Sequence, residues 1–349
     1  MARDKQAALD AVRQMWDGHS RRMAQEVTFA GLKNLKPFKY GKVLTNSARS
    51  TFLSCPQKYQ YSYVYGLAPR KPQIPFLVGG LFHNELEILY TTGKLNNSAM
   101  EERVGKACES ASNFPGVSAE DSDIIWMQQA VVRGMVRGYA QEYLKKDMKD
   151  FEVVEAEGSF RANLPGGWIY RGKKDLVLRR KKNKKLVLME HKTAGRIDAS
   201  YVAKLPLDNQ ILGYGWAQRE AEGQTFHEII YNVTKKPQIR QSQKESLKEF
   251  LKRVEDDYYV NPVKYFYRET LTFTDRDLDR FGKELNRFVR NIDRAQADGD
   301  FFQNSGHCTA MGVCPFMRLC LEGVNKDTLL HYRVKERAHE ELPEDAAAE

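Results

Sequence analysis

This sequence lacks the long apolar runs of membrane and secreted proteins. No stretch of about 18 apolar residues occurs, which is the length that a transmembrane helix needs. The first residues, MARDKQAALDAVRQMW, carry charges of both signs and no apolar segment of the kind found in secretory signals. We therefore expect a soluble, intracellular protein with no membrane partner.

Two widespread catalytic motifs are also absent. The phosphate-binding pattern G-x-x-x-x-G-K-[ST] does not occur, so no nucleotide-driven motor is encoded. The G-x-S-x-G turn of serine hydrolases is missing as well. The chain has no internal repeat. Its 349 residues, 42% of them hydrophobic, suffice for one large domain or two ordinary ones with a real core.

Cysteine is scarce, with five residues in the chain. Inside a cell these are not expected to form structural disulfides, and a clustered set is better explained as ligands. Cys308, Cys314 and Cys320 fall within one short segment, HCTAMGVCPFMRLC. Metal and cluster sites normally use four ligands, so this segment alone leaves one ligand unaccounted for.

Acidic residues are fewer than basic residues in this chain. The chain has 55 Lys and Arg against 46 Asp and Glu, a net charge of +9. Such a surplus favours a polyanionic partner, either nucleic acid or an anionic membrane surface. The densest basic run, RRKKNKKL at Arg179–Leu186, lies between two strand-like stretches. It is explained equally well as a solvated hairpin turn and as a direct phosphate contact.

The periodicity of apolar residues predicts an α/β fold. Residues 1 to about 150 have mostly helical spacing, and the part from about Gln241 onward is again helical. Between them, strand patterns alternate with turn residues, and a helix is predicted from about Leu207 to Glu222. The predicted strands are Phe151–Leu164, Gly167–Arg180, Lys184–Thr193 and Phe226–Thr234. Three strands, a helix and a further strand predict a mixed central sheet flanked by helices.

A carboxylate pair and a lysine mark a candidate catalytic site. Asp175 lies in the second predicted strand, while Glu190 and Lys192 lie at the end of the third. Residues i and i+2 of a strand share a face, and a hairpin can bring Asp175 beside Glu190. Adjacent carboxylates repel unless a cation such as Mg²⁺ or Mn²⁺ lies between them, and a nearby lysine could polarise a water. The alternative is that these are exposed charges in surface pairs.

The motif D…E-x-K, followed by NQILGYGWA, resembles the PD-(D/E)xK nuclease superfamily, and within it the RecB-like branch that includes Cas4, AddB and Exo5-type enzymes. The resemblance implies a restriction-endonuclease-like core in which Asp175 and Glu190 bind the metal and Lys192 activates the attacking water. That branch has a Q-x-x-x-Y motif on the next helix, here Gln210 and Tyr214, which implies contact with the DNA backbone. The i, i+4 spacing puts both on one helix face.

The same resemblance implies two further metal ligands. The upstream segment GGLFHNELE supplies His83, and the backbone carbonyl of His191 completes the shell. An imidazole among carboxylates favours Mn²⁺ over Mg²⁺. Without the other motifs, His83 would be explained as an ordinary core or surface histidine.

An iron–sulfur cluster is implied by a second part of the resemblance. The segment NSARSTFLSCPQKYQ is similar to the start of Cas4-like and AddB-like nuclease domains, in which its cysteine joins three C-terminal cysteines around a [4Fe–4S] cluster. The ligands here would be Cys55, Cys308, Cys314 and Cys320. Their C-x5-C-x5-C spacing differs from the knuckles of structural zinc sites. The fifth cysteine, Cys108, is predicted to be a plain buried thiol.

The predicted organisation is a helical lead-in (1–44), a nuclease domain (45–323) and a flexible acidic tail (324–349). The nuclease domain divides into a helical part (45–150), the catalytic core (151–235) and C-terminal helices with the Fe–S segment (236–323). We expect a cytoplasmic DNA nuclease of a bacterial, archaeal or phage-infected cell, acting on single-stranded DNA or DNA ends, with a recombination or CRISPR protein as partner. The alternative is a nuclease-fold subunit that binds DNA or a partner without cutting.

Overall fold

The computed structural model describes residues 41–70, 73–114, 117–310, 312–337, 339–340 and 342. The predicted lead-in therefore lies almost wholly outside the described residues. The chain divides into two compact units. The described parts of the first are residues 47–70 and 294–340, and those of the second are mainly residues 42–46 and 73–293.

The described residues form eight strands and thirteen α-helices, joined by short 3-10 and π-helical turns. The strands are β1 Val43–Leu44, β2 Leu67–Pro69, β3 Phe151–Asn163, β4 Ile169–Arg180, β5 Leu186–Ala194, β6 Glu228–Lys235, β7 Phe266–Leu271 and β8 Tyr332–Val334. The helices are α1 Asn46–Ser54, α2 Pro56–Tyr59, α3 Ile74–Thr92, α4 Asn97–Ser112, α5 Ala119–Tyr139, α6 Lys145–Asp150, α7 Ala199–Lys204, α8 Asn209–Glu222, α9 Leu247–Val260, α10 Pro262–Tyr265, α11 Asp275–Asp298, α12 Met317–Glu322 and α13 Lys326–Leu329.

The larger unit is built on a mixed six-stranded sheet, as the strand pattern predicted. Its strand order is β1-β4-β5-β6-β7, and β3 also pairs with β4. The β1–β4 and β5–β6 pairs are parallel, and the remaining pairs are antiparallel. Helices α7 and α8 connect β5 to β6, as parallel pairing requires a crossover of this kind.

The basic run forms the turn between β4 and β5. Residues 181–185 are all exposed, and Lys184 takes a left-handed conformation with φ 60°. The interpretation as a solvated hairpin turn is therefore confirmed. The structure does not test whether the turn also contacts phosphates.

Helices α3, α4 and α5 pack with the sheet around the main hydrophobic core. Asn96 and Ser118 cap the N-termini of α4 and α5 by accepting hydrogen bonds from main-chain N–H groups, as residues of their types do best. Cys108 on α4 is fully buried in this core, which confirms the prediction of a plain structural thiol.

Two strands of the sheet were not predicted from the sequence. The region after Gln241 was predicted to be helical, yet Phe266–Leu271 forms β7 and pairs with β6 from Thr234↔Phe266 to Ile229↔Leu271. Strand β1 has only two residues, too few to show an alternation of apolar and polar side chains.

The smaller unit contains a two-stranded sheet. Strand β2 pairs antiparallel with β8, so ordered structure reaches Val334, beyond the start of the predicted tail at residue 324. Tyr332 explains the order, because its ring stacks on Phe316 at 5.5 Å and is buried. Within the described part of the chain, no helix combines the length and apolarity that crossing a bilayer would require.

Candidate active site

Asp175 and the chain around Glu190 meet where strands β4 and β5 separate. Their main-chain pairing ends at Leu176↔Met189. Beyond that point the N–H of His191 donates to Oδ2 of Asp175 at 2.7 Å, so a side chain replaces the next rung of the ladder. Asp175, Glu190 and His191 are all buried. The structure thus contains the pairing that the sequence predicted for these two strand segments. This pairing places two carboxylates in an interior of low dielectric constant.

His83 reaches the same place from helix α3. Its Nδ1 lies 3.3 Å from Oδ1 of Asp175. The two oxygens of Asp175 therefore have different partners, one a histidine ring and the other a main-chain N–H. The alternative explanation of His83, an isolated core or surface histidine, does not fit this contact.

Glu157 joins this group, although no sequence motif pointed to it. One ligand atom each from His83, Glu157 and Asp175 lie within 4.8 Å of one another. Pairing of Ala156 with Leu176 and of Gly158 with Lys174 puts Glu157 across from Asp175 on the neighbouring strand. The only sequence signal was its place in the strand before the Asp175 strand, and the register that uses it depends on a β-bulge near Val153.

Lys192 links the strand to the following helix. Its Nζ pairs with Oε1 of Glu190 and donates to Oε1 of Gln210 at 2.8 Å. Gln210 in turn donates from Nε2 to the hydroxyl of Tyr214 at 2.5 Å. Asp208 caps α8 by accepting from the N–H of Gln210. The i, i+4 pair predicted from the sequence is therefore present, and it faces Lys192, with Tyr214 buried.

The charged groups of the site shift one another's pKa values. Burial alone would raise the pKa of Asp175, but the charge and hydrogen bond of His83 lower it well below its usual range. Burial and the charge of Asp175 together raise the pKa of Glu190 to about 8. Burial would lower the pKa of Lys192, yet Glu190 and Asp175 raise it above its ordinary value. Lys192 is therefore a permanent cation at neutral pH.

The site contains a carboxylate oxygen that is available to bind a cation. Oε2 of Glu190 is buried and has no hydrogen-bond partner among the described residues, which is costly for a carboxylate. Carboxylate oxygens and one imidazole suit Mn²⁺ or Mg²⁺. Glu190 is not a member of the tight group formed by His83, Glu157 and Asp175. The donor set fits a divalent ion, while the ligand role of the His191 carbonyl stays a prediction.

A buried polar network connects strand β5 to strands β6 and β7. Both Nη atoms of Arg268 on β7 donate to the carboxylate of Asp147, at 2.7 and 2.8 Å. Its Nε donates to Oδ1 of Asn232 at 2.6 Å. Nδ2 of Asn232 then lies 3.4 Å from both the main-chain oxygen of Glu190 and Nδ1 of His191. Burial lowers the pKa of His191 to about 3, so its ring is neutral.

The four predicted cluster cysteines all lie in the smaller unit. Hydrogen bonds from Asn304 Nδ2 to the oxygen of Ser54 (2.9 Å) and from the N–H of Gln57 to the oxygen of Phe302 (3.1 Å) tie the chain on both sides of Cys55 to the segment before Cys308. The N–H of Cys314 bonds to the oxygen of Cys308 at 2.7 Å. Burial and the neighbouring cysteines, Cys314 foremost, raise the pKa of Cys320 to about 12.

A single zinc ion would hold four sulfurs within about 4.6 Å of one another, twice the zinc–sulfur bond length. The cysteine sulfurs form no group that tight in the part of the chain described. All five cysteines are free thiols. The fold thus gathers the four cysteines from distant parts of the sequence into one unit, where Cys320 lies near the other three.

The chain is similar to one protein family and to two solved structures. A model of the PD-(D/E)XK nuclease superfamily matches residues 43–321. The structure of a candidate exonuclease from Eubacterium rectale is similar with a TM-score of 0.42 and 12% sequence identity, over 81% of this chain and 90% of that one. A protein named SSO0001 has a TM-score of 0.32 and 12% identity, over 86% of this chain and 95% of that one. Among curated protein sequences none is significantly similar. Since the family model spans most of its length, the chain belongs to the PD-(D/E)XK nuclease superfamily.

Proposed function

We propose that this protein is a metal-dependent deoxyribonuclease that acts on single-stranded DNA or DNA ends. One observation supports this most strongly. Asp175, Glu190 and Lys192 converge with His83 at the end of two strands, in a chain that belongs to a nuclease superfamily. An exonuclease or end-processing activity follows from the resemblance to the RecB-like branch, as does a place in recombination, repair or CRISPR-type DNA processing with a protein partner.

His83, Asp175 and Glu190 would hold Mg²⁺ or Mn²⁺, together with the carbonyl of His191. The unpartnered Oε2 of Glu190 supports this assignment, because a bound cation would satisfy it. The cation supplies positive charge that offsets the negative charge developing on the phosphate during hydrolysis. The raised pKa of Glu190 means that this carboxyl must lose its proton before it can bind the cation.

Lys192 orients the attacking water and stabilises the phosphate charge. Because its pKa is raised, its ammonium group stays protonated and acts as a hydrogen-bond donor, not as a base that accepts the water proton. Gln210 holds this ammonium in place. We further propose that Gln210 binds the DNA backbone beside the metal, and that the buried Tyr214 contributes through its hydrogen bond with Gln210. A net charge of +9 would assist binding of the polyanion.

We also propose that Cys55, Cys308, Cys314 and Cys320 bind a [4Fe–4S] cluster. Four thiols in one compact unit are the donor set that such a cluster needs. The C-x5-C-x5-C spacing of the three C-terminal cysteines favours a cluster over the knuckle of a structural zinc site. Hydrolysis transfers no electrons, so the role of these residues would be to stabilise the fold.

An assay with end-labelled single-stranded and duplex DNA tests the proposal. With Mn²⁺ or Mg²⁺ the purified protein should shorten labelled DNA, with Mn²⁺ at least as effective, and EDTA should abolish the reaction. Glu190→Ala serves as the inactive control. DNA binding without cleavage in either metal would instead support the silent, nuclease-fold subunit. Cleavage in EDTA would contradict the metal mechanism.

A further inference from the structure

Glu157 occupies a position that neither the motif pattern nor the proposed chemistry assigns. It lies on β3, one strand before the Asp175 strand, and its side chain is largely buried, at 15% exposure. Its backbone is in the left-handed region, with φ 51°, which is uncommon for a residue with a side chain. The fold therefore holds this carboxylate in a defined place.

The neighbours of Glu157 form a set of cation-binding atoms. Its carboxylate oxygen, Nδ1 of His83 and an oxygen of Asp175 are mutually within 4.8 Å. Like charges opposite each other on paired strands are unfavourable unless something neutralises them. Close by, the buried Glu190 has a carboxylate oxygen without a partner among the described residues. That oxygen is an independent indication that a cation is needed here.

The alternative to cation binding is a purely structural role for Glu157. Its carboxylate lies 2.6 Å from Nζ of Lys173, so it could serve only as one half of an ion pair. The chain provides a direct comparison two residues away. Glu155 pairs with Lys174 at 3.1 Å, but it does not belong to the group with His83 and Asp175. The two glutamates lie on the same strand and each pairs with its own lysine, but only Glu157 lies in the group with His83 and Asp175.

We propose that Glu157 is an additional ligand of the divalent cation held by His83 and Asp175, in a shell of carboxylates and one imidazole suited to Mn²⁺. This inference rests on the proposed function, since it concerns the same metal site. Lys173 is then the counter-ion that neutralises Glu157 when the cation is absent. Removing Lys173 should leave Mn²⁺ binding intact or strengthen it.

The test measures Mn²⁺ binding without DNA, by the electron paramagnetic resonance signal of free Mn²⁺ or by calorimetry. Glu157→Gln keeps the size, the backbone preference and a hydrogen-bond acceptor for Lys173, and removes only the charge. It should weaken Mn²⁺ binding by at least roughly tenfold to a hundredfold, since loss of groups that only support metal ligands already has an effect of that size. Glu155→Gln is the matched control and should stay within about twofold of the unmodified protein, since a partly exposed pair contributes little.

The outcomes separate the inference from the proposed function. Unmodified protein that binds Mn²⁺ and cuts DNA, with Glu157→Gln binding as tightly as Glu155→Gln, would overturn the ligand role alone. Failure of the unmodified protein to bind Mn²⁺ would overturn both. Equal weakening in both glutamine variants would also reject the proposal, since the loss would then come from the strand's ion pairs. Lys173→Met provides a second check, because weaker Mn²⁺ binding in that variant would contradict its role as a counter-ion.

Discussion

Lys192 on β5 donates a hydrogen bond to Gln210 on α8 at 2.8 Å, and the same ammonium pairs with Glu190. The lysine of the E-x-K motif is thus held between a strand and the helix that follows it. Its position depends on the cap of that helix as well, since Asp208 fixes the first turn of α8. A charged group fixed in this way can be aimed at a water or a phosphate without reorganisation.

Lys192→Ala should separate chemistry from metal binding. We expect cleavage to fall by about 10²-fold or more, because orientation of the water and charge stabilisation are lost. Mn²⁺ binding should persist, since lysine is not a metal ligand. Glu190→Ala should lose both properties. Single-turnover cleavage and Mn²⁺ titration of the two variants measure this, and near-normal cleavage by both would reject the site assignment.

Much of this site could be predicted from local sequence. The apolar run LVLM ends abruptly in Glu190, and the hairpin geometry then places it beside Asp175. Gln210 and Tyr214 were found through the Q-x-x-x-Y motif of the resemblance, and helical spacing explains why they share one helix face. These relations are short in sequence or fixed by a regular element, so the motifs that carry the resemblance were sufficient to find them.

Glu157 and β7 could not be predicted, because no regular local pattern in the sequence marks them. The position of Glu157 depends on a β-bulge and a left-handed residue within β3, which no periodic pattern encodes. Strand β7 directly follows the short helix α10, so the pattern around Pro262–Tyr265 masked the change to strand. Arg268, on that strand, was missed with it, and so was its buried network with Asp147.

Glu190 should make the metal-free protein less stable as the pH rises. Burial, then the charge of Asp175, raises its pKa from 4.5 to about 8, so the folded state binds this proton more tightly than the unfolded state does. Unfolding is therefore increasingly favoured between about pH 4.5 and 8, and the full penalty is present above that range. Glu190→Gln lacks the penalty and should gain stability relative to unmodified protein, on the order of 1–3 kcal/mol, across this window.

Urea unfolding in EDTA at several pH values measures this difference. The slope with pH is decisive, because the ion pair with Lys192 forms only when Glu190 is ionised and already contributes to the pKa of Glu190. Saturating Mn²⁺ should reverse the order at pH 8, since a cation that binds only the folded state stabilises the unmodified protein. A stability difference that does not change with pH would contradict the raised pKa.

The ion pair of Arg268 and Asp147 should behave as a buried unit. Asp147 is almost fully buried, so Asp147→Asn leaves an uncompensated guanidinium and should cost about 3–5 kcal/mol in unfolding free energy. Arg268→Met should have a similar cost. The double variant should lose less than the sum of the two. A double-mutant cycle by urea unfolding measures the coupling, with Glu102→Gln at the exposed pair with Lys106 as a control that should unfold like the unmodified protein.

DNA binding should weaken steeply with salt. A chain with a net charge of +9 that contacts roughly six phosphates of a single strand should lose roughly a few hundredfold in affinity between about 50 and 200 mM salt, because binding releases counterions. Fluorescence anisotropy with a labelled single strand in Ca²⁺ or EDTA measures the slope without cleavage. A slope near zero would exclude a basic path for the DNA backbone.

The four cysteines of the smaller unit should act together. Protein purified without oxygen should be brown, with the broad visible absorption of iron–sulfur clusters. Cys55→Ala should bleach it as fully as Cys308→Ala, since hydrogen bonds hold the two segments side by side although 252 residues lie between the two cysteines. Cys108→Ala is the control and should keep its colour, because Cys108 is buried in the core of the other unit.

Loss of the cluster should also lower stability. Loop-closure entropy grows only slowly with length, so a link between such distant segments should contribute a few kcal/mol, about as much as a long-loop disulfide. Thermal midpoints of the bleached variants should fall together, and activity should fall only to the extent that the fold does. A colourless protein holding one zinc would refute the cluster while keeping the link. A Cys55→Ala protein that retains a full cluster would show that the fourth ligand lies elsewhere.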